Sequence, residues 1–251
     1  MGAGTAPELA RSDRPAVTLR RLGLIGGMSW ESTAEYYRII NREIGKRLGG
    51  VASAPLLLHS VEFSSVARRM ERGEWDAVGD QLARAAAGLE REGAEAIVIT
   101  SNTVHTVAPA IEAAIRIPLL HIVDPVGRAM QAANVTRGAL LGTRWTMDLP
   151  FWRECMAQRF GISLSVPDAA EREIIHRIIF EELCRGMIRQ ESRAKYLKII
   201  ERLAADGAQA VVLGCTEISM LVGPGDTQVP LFDTTGLHCL AAVGFALGSS
   251  T

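Results

Sequence analysis

The chain of 251 residues is 48% apolar and 22% charged, an ordinary globular balance, long enough to bury one large core or two moderate ones. A formal net charge of −1 gives no field that would draw nucleic acid or an anionic membrane surface, so neither is expected as a partner. No apolar run approaches the roughly 20 residues of a membrane span. The opening "MGAGTAPELARSDRPAV" lacks the apolar stretch of a secretory signal, and Cys155, Cys184, Cys215 and Cys239 form no C-x-x-C pair or zinc-type cluster. These features predict a cytoplasmic protein with reduced thiols and no structural metal.

Residues 1–19, rich in Gly, Pro and charge, read as a flexible tail. "RLGLIGG" from Arg21 follows as a buried strand ending in a glycine turn, and Ser29 is placed to cap the helix "WESTAEYYRIINREIGKRL". "PLLLHSVEF" predicts a second strand, and "WDAVGDQLARAAAGLEREG" a helix closed by Gly93. "AEAIVIT" and "IPLLHIV" supply two more strands, with "VAPAIEAAI" crossing between them. Strands alternating with amphipathic helices predict α/β architecture with mainly parallel sheets.

The second half repeats the first. "RGALLGTRWTM" from Arg137 parallels "RLGLIGGMSWE" from Arg21, and "LKIIERLAADGAQAVVLGCTEI" parallels "GDQLARAAAGLEREGAEAIVITSNTV". Gly93 and Gly207 lie 114 positions apart, as do Ser101 and Cys215, and "VPLFD" answers "IPLLHIVD". Two pseudo-symmetric α/β lobes over 20–123 and 124–236 are therefore expected, each a mainly parallel sheet flanked by helices. The apolar segment 237–251 would return to the first lobe as a helix. "EREIIHRIIFEELCRG" reads as a largely solvated helix with an apolar stripe.

Open parallel sheets bind ligands beyond the carboxyl ends of their strands. Facing lobes would bring Ser101 and Cys215 to one cleft from opposite sides. Such a pair suits inversion of a carbon stereocentre, which needs a base on one face and an acid on the other. A free thiol, with a pKa of about 8.5, can serve as either. Asn102, Thr103 and Thr216 begin the following turns, where free N–H groups can hold a carboxylate. The turn at Gly27 and Met28 would bring backbone to a small ligand, with Thr143 in the matching turn of the second lobe. "GLIGGMSW" lacks the G-x-G-x-x-G spacing of a dinucleotide loop. Nor is there a strand-end lysine for a Schiff base, so no nicotinamide, pyridoxal phosphate or metal is expected. His105 and Glu217 follow the two strand ends, where either could tune a neighbour or cap a helix.

The blocks "GLIGGMSWEST", "LLLHSVEF", "TSNTVH", "LLGTRWTM", "IIFEELCRG" and "GCTEISMLV", in that order, resemble the aspartate/glutamate racemase family. The resemblance runs from Arg20 to the end. It implies two pseudo-symmetric lobes, a site between them, independence of pyridoxal phosphate, a homodimer, and paired catalytic cysteines at C-N-T and G-C-T. By this resemblance Cys215 is the base for the L-enantiomer, and the turn and strand-end positions put Gly27, Met28, Asn102, Thr103, Thr143, Thr216 and Glu217 around the substrate.

Two positions depart from the family pattern. Ser101 replaces the first cysteine, and a hydroxyl with a pKa nearer the roughly 15.7 of water is a poor base for a carbon acid. The resemblance also implies a lysine that meets a distal carboxylate, aligned here with Cys184, and Arg185 is the adjacent candidate to replace it. The leading expectation is a cofactor-independent racemase of aspartate, glutamate or a related amino acid. A one-sided carbanion enzyme such as a malonate-type decarboxylase, and a non-catalytic amino-acid or dicarboxylate-binding protein, are the alternatives.

Overall fold

A computed structural model of the protein describes residues 18–249. Most of the expected N-terminal tail lies outside the described residues. The first half runs β1 (Leu22–Gly26), α1 (Trp30–Leu48), β2 (Leu56–Ser60), α2 (Phe63–Glu71), α3 (Trp75–Arg91), β3 (Ala96–Ile99), α4 (Ala108–Glu112) and β4 (Leu119–Leu120). The second runs α5 (Val123–Ala132), β5 (Arg137–Gly142), α6 (Arg144–Asp148), α7 (Phe151–Phe160), β6 (Ser163–Ser165), α8 (Ala169–Glu181), α9 (Gln190–Ala205), β7 (Ala210–Gly214), α10 (Ile218–Leu221), β8 (Leu231–Asp233) and α11 (Thr234–Ala246). Short 3-10 turns cover Thr103–Val107 and Leu183–Arg185.

The strands form two four-stranded sheets, ordered β2-β1-β3-β4 and β6-β5-β7-β8, with every pairing parallel. The second order is the first with each strand advanced by four, so the repeat is architectural. Side chains alternate across each strand, and helices cover both faces. Ile25, Ile97 and Ile99 pack on α2, α3 and α4, whereas Leu22, Leu24 and Val98 pack on α1 and α11. In the second sheet Leu141, Val211 and Leu213 meet α8 and α9, and Leu140 and Val212 meet α5 and α7.

Local chemistry sets the element ends. Ser29 caps α1 by accepting from Ser32 N–H, and Asp168 and Glu171 form a reciprocal capping box on α8. Gly93 and Gly207 adopt φ of 89° and 100°, closing α3 and α9 alike. Glu95 Oε1 accepts from Arg21 N–H as Gln209 Oε1 does from Arg137 N–H, so the lobes repeat side-chain ties as well as topology.

Two expected strands are shorter than their apolar runs. After Ser60, the Glu62 carboxylate accepts from Ser64 and Ser65 N–H and starts α2, ending the "PLLLHSVEF" strand early. β4 is an edge strand preceded by Pro118, and only two of its residues enter the ladder. α11 packs Cys239, Ala242, Val243 and Ala246 on the first sheet, and Ala246 O accepts from Arg20 N–H. No helix of the described residues is long and apolar enough to cross a membrane.

The turn after β1 depends on Gly27, whose φ is 91° and where a Cβ would come within 2.3 Å of Val61 O. Gly161 also has positive φ, 66°, in the left-handed helical region, but nothing lies within 4 Å of a Cβ there. Gly161→Ala should cost about 1 kcal/mol of backbone strain. Gly27→Ala should cost about 3 kcal/mol, because a backbone carbonyl must also move. Thermal unfolding of the two variants checks the difference, and equal losses would remove the packing role given to Gly27.

Candidate active site

In a sheet ordered 2-1-3-4 the chain leaves β1 toward one edge and β3 toward the other, opening a crevice at their carboxyl ends. Here two such crevices face each other. The turns after β1, β3, β5 and β7 enclose a cavity of about 550 Å³, open mouth included. Met28 and Ser29 come from the first turn, Ser101, Asn102 and Thr103 from the second, Thr143 and Trp145 from the third, and Cys215, Thr216 and Glu217 from the fourth. Phe63, Met70, Ile179, Phe180 and Cys184 complete the wall.

Cys215 is half-buried, and its thiol donates to Glu217 Oε2 at 2.9 Å. The other oxygen, Oε1, accepts from Ser29 Oγ at 3.2 Å and faces Cys184 Sγ at 3.8 Å. Burial first, then the Glu217 carboxylate, holds the Cys215 thiol well above its ordinary range, opposed only by the Glu217 N–H. Cys184 is pushed up to about 12 by burial and by the same carboxylate. The arrangement is thus a thiol with its proton acceptor already in place, rather than a preformed thiolate beside a cation.

Ser101 stands on the opposite side with different support. Among the described residues its hydroxyl has no hydrogen-bond partner, and its carbonyl accepts from His105 Nδ1–H at 2.7 Å. His105 Nε2 accepts from Ile122 N–H at 3.3 Å, so both ring nitrogens are engaged with backbone and the tautomer follows. Burial and the neighbouring His121 and His238 rings keep this imidazole well below its usual pKa, hence neutral. His105 therefore braces the strand end and does not touch the Ser101 hydroxyl. The repeat of 114 also pairs Glu217 with Thr103, so the first lobe lacks both the thiol and its carboxylate.

The remaining polar groups are neutral and tie the lobes together. Thr103 Oγ1 lies 3.1 Å from Thr143 Oγ1 and 2.8 Å from Thr146 Oγ1, and Thr216 Oγ1 bonds to Ser32 Oγ. Asn102 Nδ2 donates to Thr234 Oγ1 at 2.9 Å, which in turn donates to Leu213 O at 2.8 Å. Asn102 also lines the cavity, and its Oδ1 is buried without a partner among the described residues.

Of the residues named from sequence, Ser101, Cys215, Met28, Asn102, Thr103, Thr143, Thr216 and Glu217 line this cavity. Gly27 does not: it backs onto Val61, and its N–H donates to Thr33 Oγ1 at 2.8 Å. Arg185 is exposed and lies with Glu181, Glu182, Met187 and Arg189 in a separate outer depression, because the 3-10 turn directs Cys184 inward instead. The sequence reading missed Ser32, Phe63, Met70, Trp145, Ile179 and Phe180 as lining residues. Ser32, Phe63, Trp145, Ile179 and Phe180 sit inside the quoted blocks without a signal that separates lining from core, and Met70 carries only a helical apolar spacing. Among the described residues no group of three or more His, Cys, Asp or Glu side chains could hold a metal ion.

This architecture has known counterparts. The profile of the Asp/Glu/hydantoin racemase family matches residues 25–242. A crystal structure of a Yersinia pestis protein assigned to the Asp/Glu racemases superposes with a TM-score of 0.86 at 45% identity, covering 91% of this chain and 100% of that one. An aspartate racemase homologue from Pyrococcus horikoshii gives 0.79 at 30% identity, covering 91% and 99%. The broad specificity amino-acid racemase RacX of Bacillus subtilis is 20% identical over 231 residues, 88% of this chain and 94% of that protein. The two facing lobes and the strand-end cavity are those of the Asp/Glu/hydantoin racemase family of isomerases, to which this chain belongs.

Proposed function

We propose that the protein racemises an α-amino acid without a cofactor, with Cys215 as the principal base and Ser101 on the opposite face. The observation that carries this reading is the Cys215–Glu217 hydrogen bond at the wall of a cavity that Ser101 also lines. Glu217 takes the thiol proton, and the thiolate then removes the Cα proton. The electron pair released from the C–H bond enters the substrate carboxylate as an enediolate. Unpaired backbone N–H groups at the starts of the turns, including Asn102, Thr103 and Thr216, stabilise that charge.

For inversion, Ser101 O–H gives its proton to the other face of Cα, the alkoxide recovers a proton from solvent in the cleft, and Glu217 releases to solvent the proton it took from the thiol. No carboxylate or free imidazole assists it, so this half-reaction is the slower one. A one-sided outcome, in which Cys215 returns the proton to the face it came from, competes with inversion at every turnover. The equilibrium between enantiomers is unaffected, since a weak acid–base group slows both directions equally.

Cys215→Ser should lower Cα exchange by at least about a thousandfold while leaving the fold intact. In D₂O the wild type should deuterate the L-substrate faster than the D-enantiomer accumulates, followed by NMR and chiral chromatography. Ser101→Cys should bring the two rates together. Near-normal activity of Cys215→Ser, or equal exchange of both enantiomers by wild type, contradicts the scheme.

A pH test isolates the pair. Removing the negative neighbour favours the thiolate, so Glu217→Gln should move the alkylation midpoint of Cys215 down by at least about one pH unit. Iodoacetamide labelling against pH, with the Cys215 peptide resolved from that of Cys184 by mass spectrometry, gives the measurement. An unchanged midpoint would mean that burial alone sets the thiol and that Glu217 is not its proton acceptor.

A further inference from the structure

From the wall of the cavity we infer the class of side chain that the site accepts: an uncharged, apolar one, and not the second carboxylate of aspartate or glutamate. The inference rests on the racemase reading for the reaction, but its own ground is the lining. Among the described residues that line the cavity there is no lysine and no arginine, and the one formally charged side chain is Glu217, which is 5% exposed. A distal carboxylate entering here would leave water for a site that offers no cation and already holds an acid.

The part of the wall away from the Ser101 and Cys215 strand ends is apolar, built from Phe63, Met70, Trp145, Ile179 and Phe180. Trp145 and Phe180 meet edge to face at 6.0 Å, and His176 closes the corner, 5.5 Å from Trp145 and 4.7 Å from Phe180. Burial and Arg144 lower the His176 pKa, and its Nδ1 accepts from Arg144 N–H, so this ring supplies no positive charge at neutral pH.

The cations nearest the site are otherwise placed. Arg144 is exposed and stacks on the Trp145 ring at 4.7 Å, on the ring rather than in the cavity. Arg185 lies outside. Arg38 borders an adjoining depression that shares Ser32, Thr216 and Glu217 with the site, but it is bound to Glu35 through Nε and Nη2, and Glu31 adds a further acid there. The neutral hydroxyls and N–H groups of the wall serve the α-carboxylate and α-ammonium that every amino acid carries, so selection falls on the side chain.

The test is a panel of L-methionine, L-leucine, L-phenylalanine, L-asparagine, L-aspartate and L-glutamate, followed by Cα deuteration in D₂O. Binding is read in parallel from quenching of Trp145 fluorescence, with Trp145→Phe as the blank. Methionine or leucine should exceed aspartate and glutamate by at least about tenfold in kcat/KM and in affinity. Phe180→Arg should narrow or reverse that ratio, with Phe63→Arg as the second variant if circular dichroism shows the first to be misfolded.

Preference for aspartate, glutamate or asparagine overturns the inference. If Arg144→Ala then abolishes the acidic preference, Arg144 is the cation that the wall lacks. Selective binding of methionine or leucine with no exchange of any amino acid would leave the side-chain subsite standing and remove the racemase reading. Failure of the whole panel to bind at millimolar concentration would remove the subsite itself.

Discussion

A cavity walled by the strand ends of two lobes keeps its shape only if the lobes hold a fixed separation, yet each lobe is a separate sheet with its own core. The bonds that fix the separation are small hydroxyls meeting across the cleft: Ser32 with Thr216, and Thr103 with Thr143 and Thr146. Short side chains have few rotamers, so little entropy is lost in ordering them, and a β-branched threonine is stiffer still. α11 adds a second tie by leaving β8 in one lobe and packing on the sheet of the other. The cleft is consequently narrow and set by hydrogen-bond lengths rather than by long, adaptable ion pairs.

The duplication preserved geometry but not chemistry. Helix stops, strand order and the ties of Glu95 and Gln209 repeat in both lobes. Cys215 with Glu217 and Ser101 with Thr103 do not. Thr103 stands where Glu217 stands in the second lobe, and its hydroxyl is committed to Thr143 and Thr146.

Much of this was legible in the sequence because backbone rules are local. The 114-residue repeat, the glycine stops and the alternation of strands and helices foretell two parallel sheets, and parallel sheets foretell where a ligand sits. The strand-end residues were readable for the same reason. What one-dimensional pattern could not reveal was direction. Ile179 and Phe180 lie on the helix that carries Ile175 and Ile178, and the spacing does not say which of them faces the core and which the cleft. Cys184 and Arg185 are neighbours, but the tight turn at Leu183–Arg185 sends one inward and the other to solvent. Gly27, read as a ligand contact, turned on an approach to Val61 from another loop.

The imidazole cluster behind Ser101 gives the molecule a built-in acid sensitivity. His105 stacks edge-on against His121 and His238 at 5.0 and 5.6 Å, and His238 joins α11 to the first lobe through Tyr36 and Leu120 O. Burial pushes His121 and His238 down to about 4, whereas in an unfolded chain they titrate near 6.5. The unfolded state thus binds more protons between those values. Stability that is complete above about pH 6.5 drains away as the solution is acidified toward 4. Protonating the cluster would break the bond from Ile122 N–H to His105 and set like charges side by side. Because His105 also holds the Ser101 carbonyl, acid would loosen the β3 end of the cleft.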